Sequence, residues 1–389
     1  MTGLGLAGFE VEIVDPNPLA LSRFSRWCAR LHRSPSFGRD PGGYLDAVLG
    51  LLRRRRFDVL FPAHEQAYLF ARHRKRLEAL THLALPDFDL FERLQSKVGF
   101  ARVLEELHLP APPSVVAQDR ASLAARVTRY PVFLKAAFGT ATRGTFLVHS
   151  PSDLARAIEE LRPVLQEGVV IQEPVEGRLG RVQSIFAAGR LVALHACAQV
   201  EEGVGGGDLV KESLRSEELE AQVELLGSRL GWHGALSLDF IEDPSGRRHF
   251  IDSNPRLAEP GNALAAGLNL PELLVRVSLG ESPPRAPLAP PGVRSFMALQ
   301  GLFRTAKDSG SRAAVWRTLR DIVTHRGSFA AGAEELTPLA RDPASAIPVL
   351  VVAGALIGRP RVWEGLSRGA VDAYAATPRV VEFVRGRSS

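Results

Sequence analysis

From Phe9 to Asp15 apolar and polar residues alternate, and the run stops at Pro16-Asn17-Pro18, which predicts a strand closed by a turn. Leu19 to Leu31 reads as a helix, Pro41 to Arg56 as a second, Phe57 to Pro62 as a short buried strand and Glu65 to Leu80 as a third helix. Strands alternating with helices predict a parallel α/β sheet. Leu94 to Leu109 carries apolar residues at helical spacing before a stop at Pro110. Strand-like runs follow at Tyr130–Lys135 and Gly189–Val200, and Ser216 to Leu230 is an amphipathic helix. Two apolar runs, Gly234–Glu242 and Arg247–Asn254, flank the turn formers Asp243-Pro244-Ser245-Gly246 and predict a β-hairpin. Beyond the Pro-rich stretch 283–291 the pattern is helical at Ser295–Lys307, Arg312–His325, Ala346–Ile357 and Val362–Ala376.

Composition adds few constraints. The 389 residues are 45% hydrophobic and 23% charged, as in an ordinary globular chain of two or three domains. Cys28 and Cys197 offer no disulfide framework or metal-ligand spacing, which fits a reducing, cytoplasmic setting. The N-terminus lacks a basic region followed by an apolar core, so no signal peptide is expected. The apolar run Ile347–Ile357 is too short to span a bilayer and reads as a core helix rather than one lying on a membrane surface. Net charge is +5, but arginine is used throughout and no aromatic residues interleave Arg53–Arg56, so nucleic acid is not an expected partner. Of 48 basic residues only five are lysines. A compact ammonium cannot be replaced by a planar guanidinium, so Lys97, Lys135 and Lys211 draw attention.

The hairpin carries the densest chemistry. With its turn near Ser245-Gly246, Asp239 falls opposite Asp252, and Asp252, Asn254 and Arg256 share one face. Opposed carboxylates repel, so the pattern predicts a cation between them. Two carboxylates and an amide oxygen form a hard set suited to Mg²⁺ or Mn²⁺. Arg256 can take a phosphate or carboxylate oxygen. Upstream, a buried strand delivers Lys135 into the loop Gly139-Thr140-Ala141-Thr142-Arg143-Gly144, where backbone N–H groups and hydroxyls can meet phosphate oxygens.

These segments, in this order from Leu94 to Arg256, resemble the ATP-grasp superfamily, and the likeness extends over roughly residues 1–280. That family usually has an acid on one strand and Glu-x-Asn-x-Arg on the next. Here Asp252 stands for the Glu, one methylene shorter. The resemblance implies a Rossmann-like domain over 1–92, a two-lobed ATP-grasp domain of α+β character over 93–282, and a helical C-terminal region over 283–389, α/β overall. It implies ATP and Mg²⁺ or Mn²⁺ as cofactors. Lys97, Lys135, Gly139, Thr140, Thr142 and Gly144 would meet the nucleotide phosphates. Gln172-Glu173-Pro-Val175 would be the linker between lobes, with the Glu173 carbonyl and Val175 N–H on the adenine edge. Leu179 stands where a ribose-binding carboxylate is usual, and Glu176 is the candidate in its place. Asp239, Asp252 and Asn254 would hold metal, and Arg256 and Lys211 are the candidate catalytic residues. The glycine-rich stretch Glu201–Lys211 is either the family's loop near the transferred phosphoryl group or a flexible linker.

The activity implied is a ligase that converts a carboxylate to an acylphosphate and joins it to an amine, both small molecules. Carboxyphosphate chemistry on bicarbonate and a nucleotide-binding regulator without turnover are the alternatives, the latter favoured by Leu179 and the short Asp252. Packing, homo-oligomerisation and a substrate lid stay open as roles for the C-terminal region. The Rossmann-like part lacks the strand and Gly-rich turn that should open it. The start is truncated or misassigned, or the sheet lacks an edge strand. Gly3, Gly5 and Gly8 mimic a dinucleotide fingerprint without the strand that should precede it.

Overall fold

The computed structural model describes residues 1–140, 143–330, 332–372 and 374–386. Strands β1 (Val11–Asp15) and β2 (Cys28–Arg33) pair in parallel. A four-stranded antiparallel sheet is built from β3 (Ser114–Ala117), β4 (Val132–Ala136), β5 (Thr145–Val148) and β6 (Val169–Gln172) in the order β3-β6-β4-β5. The third sheet contains β7 (Arg178–Ala187), β8 (Arg190–Glu202), β9 (Asp208–Leu214), β10 (Gly234–Glu242), β11 (Arg248–Asn254), β12 (Arg294–Phe296) and β13 (Gly332–Glu334), in the order β11-β10-β7-β8-β9-β12-β13.

Each of the larger sheets buries one face against helices. Leu134, Val148, Val169 and Ile171 of the four-stranded sheet pack with Leu123, Leu154 and Ile158. Val182, Leu194, Leu238, Phe240 and Phe250 of the seven-stranded sheet pack with Leu219, Val223 and Leu226 of helix Glu217–Leu230 and with the N-terminal helices. Side chains alternate along a strand, so the intervening residues emerge on the opposite face. Toward one end these are Ile185, Ala193 and Ala235, which pack against Leu270 and Leu274. Toward the other end they are polar: Arg181 and Gln183 on β7, Gln199 on β8, Lys211 on β9, Asp239 on β10, and Asp252 and Asn254 on β11.

Several local expectations are corrected. The stretch Leu19–Leu31 is not helical: a single 3-10 turn, Leu21–Phe24, leads into β2, because β1 needs a hydrogen-bonded neighbour and Cys28–Arg33 supplies it. Phe57–Pro62 is reduced to one bridge, Val59 to His82. Glu65–Leu80 divides into helices Gln66–Arg72 and Arg74–Glu78. Gly3 and Gly5 have a packing explanation, and Gly8 a conformational one at φ +83°. Thr2–Leu6 is a short helix against Leu270–Ser278, and a Cβ on Gly5 would lie 2.1 Å from the Trp27 ring. In the C-terminal region, strands β12 and β13 extend the large sheet, and residues 298–309, 312–323, 347–358 and 363–372 are helical. A further helix, Pro378–Val384, buries Val380, Val381 and Val384 in the main core.

Candidate active site

The β10–β11 hairpin places Asp239 directly opposite Asp252 and Ser237 opposite Asn254. The register then shifts, so that Phe240 faces Phe250 and Ile251 is the extra residue of a bulge. The expected repulsion between the two carboxylates does not arise, because each has its own cation. Lys97 Nζ donates to Asp252 Oδ2 at 2.5 Å and Arg181 Nε to Asp239 Oδ1 at 2.7 Å. Burial works to raise the Asp252 carboxyl, but Lys97 and Lys135 outweigh it and hold the group below the usual carboxylate range. Asn254 Nδ2 faces Asp239 Oδ2 at 3.5 Å.

Lys97 reaches the hairpin because the predicted single helix breaks at Ser96. Helix Phe88–Gln95 ends there, and Ser96 caps helix Lys97–Glu106, making Lys97 its first residue. The Lys97 backbone N–H also donates to the carbonyl of Ala137, which tethers it to the strand end that carries Lys135. Lys135 is buried and donates to Gln172 Oε1 at 2.7 Å and to the carbonyl of bulged Ile251 at 3.1 Å. The bulge thus turns a backbone oxygen toward an ammonium. Burial pulls the Lys135 ammonium down to about 8, partly opposed by Asp252.

The two described ends of the loop after Lys135 lie close together. A Cβ on Gly139 would meet the Arg143 carbonyl at 2.2 Å, and Gly144 has φ +76°. Thr140 is buried and its Oγ1 accepts from the backbone N–H of Ala376 at 3.1 Å. Thr142 lies outside the described residues. Gln172 ends β6, and Glu173 pairs with Arg129 at 3.0 Å while its N–H donates to the Pro113 carbonyl. Val175 is half-buried and Glu176 exposed. Leu179 pairs with Ile241 inside the large sheet.

Arg256 donates to Glu65 Oε1 at 2.9 Å and to Asn254 Oδ1 at 3.0 Å, and Glu65 in turn accepts from Gln95. Lys211 is only 2% exposed and faces Glu335 at 2.9 Å and Glu259 at 3.1 Å. Burial alone would lower its ammonium, but Glu335 and Glu259 drive it upward. Residues 203–207, the turn between β8 and β9, are fastened by Gln300, whose Oε1 accepts from Val204 N–H at 2.9 Å. His195 is a buried strand residue hydrogen-bonded to Asn262 at 2.7 Å, and Cys197 is packed in the interior.

The structure adds residues that sequence reasoning passed over. Arg181 joins Asp239, Glu259 (3.0 Å) and Asp208 (3.3 Å), so one guanidinium links the hairpin to the Lys211 cluster. Glu259 is held at φ +48°, a costly conformation for a residue with a side chain, and its carboxylate bridges Arg181 and Lys211. Those two cations, against the opposing effect of burial, bring its carboxyl down to about 2. The local signal was weak: Arg181 and Gln183 flank Val182, but Arg178 and Ser184 are polar too, so β7 shows no clean alternation. Nothing local in the sequence marks Glu65 or Glu335, which arrive from distant segments.

The donor set suits a hard cation. Among the described residues no three His, Cys, Asp or Glu side chains converge on a metal position. Two carboxylates and an amide would be only part of a shell, as expected for Mg²⁺, which commonly takes one or two carboxylates and completes its shell with water and substrate phosphates. Lys97, Lys135 and Gln172 line a narrow cleft with Phe100, Leu104 and Phe250, whose free volume is only about 10 Å³.

No family model matches the chain. It is 27% identical over 287 residues, 71% of its own length, to the carbamoyl phosphate synthase arginine-specific large chain of Geobacillus stearothermophilus, and spans 27% of that relative. Among solved structures it resembles the biotin carboxylase domain dimer of Hydrogenobacter thermophilus 2-oxoglutarate carboxylase, in complex with MgADP, ADP and bicarbonate. There the TM-score is 0.60 at 17% identity, over 75% of this chain and 69% of that one. It also resembles an L-amino acid ligase from Bacillus licheniformis, with TM-score 0.57 at 18% identity over 72% of this chain and 71% of that one. Among the described residues no helix is long and apolar enough to cross a membrane.

Proposed function

We propose that the chain is a member of the ATP-grasp superfamily, an ATP-dependent ligase that activates a carboxylate as an acylphosphate and joins it to an amine. The observation that carries this reading is the convergence of Lys97 and Lys135 on adjacent residues of one hairpin, Asp252 and Ile251. Two ammonium groups beside two carboxylates are what a triphosphate and its divalent cation require.

In the reaction we propose, the phosphates lie against Lys97, Lys135 and the Gly139–Gly144 loop. The Glu173 carbonyl and Val175 N–H take the adenine edge, and Glu176 is the candidate for the ribose. Asp239, Asp252 and Asn254 would hold Mg²⁺ or Mn²⁺, which would offset triphosphate charge when bound. Arg256, fixed by Glu65 and Asn254, orients the acceptor carboxylate. A carboxylate oxygen attacks the γ-phosphorus and the bond to the bridging oxygen breaks, so ADP leaves. The amine nitrogen then attacks the acyl carbon, phosphate departs with its oxygen, and the amine loses a proton. Lys211 acts at one remove, by anchoring Glu259 beside Arg181. We place the reaction in the cytoplasm.

A second reading has specific support. A carbamoyl phosphate synthase and a biotin carboxylase complex with bicarbonate are among the similar proteins, which favours bicarbonate as the activated acid. One experiment separates the readings. ADP release is measured with Mg²⁺–ATP across pooled carboxylates and amines and, separately, with bicarbonate. Release that needs both a carboxylate and an amine supports ligation. Release with bicarbonate alone supports carboxyphosphate formation. Nucleotide binding without release under any condition favours a regulatory role.

A further inference from the structure

The C-terminal segment 374–386 touches both ends of the candidate site. At the phosphate end, the Ala376 N–H donates to Thr140 Oγ1 at 3.1 Å, and Arg385 lies 4.8 Å over the ring of Phe138, next to Gly139. At the acceptor end, Tyr374 stacks on His64 with ring centroids 4.2 Å apart, and the next residue, Glu65, holds Arg256. The segment is firmly seated. Ala375 and Ala376 are buried, Thr377 Oγ1 donates to the Gly38 carbonyl, and Val380, Val381 and Val384 belong to the core. Arg385 also bonds Glu92 at 2.8 Å and pairs with Glu167, which joins the N-terminal part of the chain to the four-stranded sheet.

We propose that residues 374–386 are a positioning element of the nucleotide site, a brace that fixes Thr140 and Phe138 before the phosphates arrive. The chemistry of a hydroxyl supports this. An oxygen that accepts an N–H keeps its own proton free to donate, and the bond limits rotation about the Cβ–Oγ1 axis. Thr140 is thereby oriented as a donor by a backbone amide more than 230 residues away in sequence. Arg385, clamped by two carboxylates, holds Phe138 from above. The brace works through the loop rather than by touching substrate. This inference rests on the nucleotide reading of that loop.

The test uses the full-length protein and the variants Arg385→Gln and Tyr374→Ala. In nucleotide-free Arg385→Gln, the amides of residues 137–144 should exchange hydrogen faster than in wild type. The KM for ATP should rise about tenfold in Arg385→Gln with kcat nearly unchanged, as loosened positioning predicts. Arg385→Lys, which keeps the charge, should recover part of the loss. Binding couplings are reciprocal, so a non-hydrolysable ATP analogue with Mg²⁺ should slow exchange at 374–386 in wild type. Unchanged exchange at 137–144 in both variants would overturn the proposal, whatever the chain binds. A fall in kcat and melting temperature together, with KM unmoved, would mark a merely structural role and also overturn it. If wild type fails to bind the analogue, the nucleotide reading fails, and the exchange of the loop still decides whether the brace exists.

Discussion

Lys97 and Asp252 hold each other at 2.5 Å, although 155 residues separate them in sequence. This contact reverses a simple expectation. Were Asp252 opposed only by Asp239, replacing it with Asn would relieve repulsion and stabilise the nucleotide-free protein. With Lys97 as its partner, Asp252→Asn should instead cost about 1–3 kcal/mol, the range for removing one member of a partly buried hydrogen-bonded pair. The stabilisation by Mg²⁺–ATP should largely vanish in Asp252→Asn and survive in Asp252→Glu. Melting temperatures with and without ligand test this, and a wild-type ligand shift in Asp252→Asn would remove Asp252 from the metal set.

Lys135→Ala should weaken nucleotide binding by roughly 10–100-fold, the equivalent of one or two charge-assisted hydrogen bonds. The fold should survive, because the substitution also removes a desolvated charge. Calorimetric titration with ATP and Mg²⁺ measures the affinity. Wild-type affinity in the variant would dismiss the assignment.

The lowered Lys135 ammonium gives stability and binding opposite pH dependence. Its folded value, about 8, is below its unfolded value of 10.5, so the unfolded chain binds more protons between them. The cost of burying the charge is therefore fully present below about pH 8 and is relieved as pH rises toward 10.5. Nucleotide affinity should move the other way and decline above about pH 8 as the ammonium is lost. Lys135→Arg should flatten that decline, since a guanidinium does not titrate in this range. ATP affinity measured from pH 7 to 9.5 for both proteins is the check.

Turnover should require Mg²⁺ or Mn²⁺ and stop in excess chelator, and Zn²⁺ should not restore it, because Asp239, Asp252 and Asn254 offer only hard oxygen donors. Full activity in chelator would discard this metal set.

Lys211→Met should lose activity mainly by destabilising the fold. Its partner Glu335 has a side chain only 1% exposed and would be left as a buried, uncompensated carboxylate. Breaking such a pair costs about 3–5 kcal/mol, whereas neutralising both partners is far milder. The double variant Lys211→Met/Glu335→Leu should thus regain much of the lost melting temperature. If Lys211→Met is inactive with an unchanged melting temperature, Lys211 has a direct chemical role.

The legible parts of this molecule were those where one short stretch contains the whole pattern. The hairpin could be read because its turn formers fix the pairing, and Asp239 does face Asp252 despite the bulge at Ile251. Lys135 stood out because its strand and Gly/Thr loop are contiguous. Cys28–Leu31 reads locally as helix because its strand character comes from pairing with β1, which no local periodicity records. The partners of Arg256 and Lys211, namely Glu65 and Glu335, were invisible for the same reason. Each comes from a segment that only tertiary folding brings near. Helix Pro378–Val384 escaped notice because seven residues at the end of a chain show too little periodicity to be recognised.

The seven-stranded sheet divides its labour by the parity of its residues. One set, with Val182, Leu238 and Phe240, lies in the main core, while the other carries the charged row of Arg181, Lys211 and Asp239 beside a second apolar cluster at Ile185, Ala193 and Ala235. If the proposed ligase reading holds, a descendant of this chain could trade members of the charged row in matched pairs and alter which acid and amine it takes. The packing beneath would not have to be reinvented. Drift in chemistry and persistence of shape can proceed on separate clocks within the same seven strands.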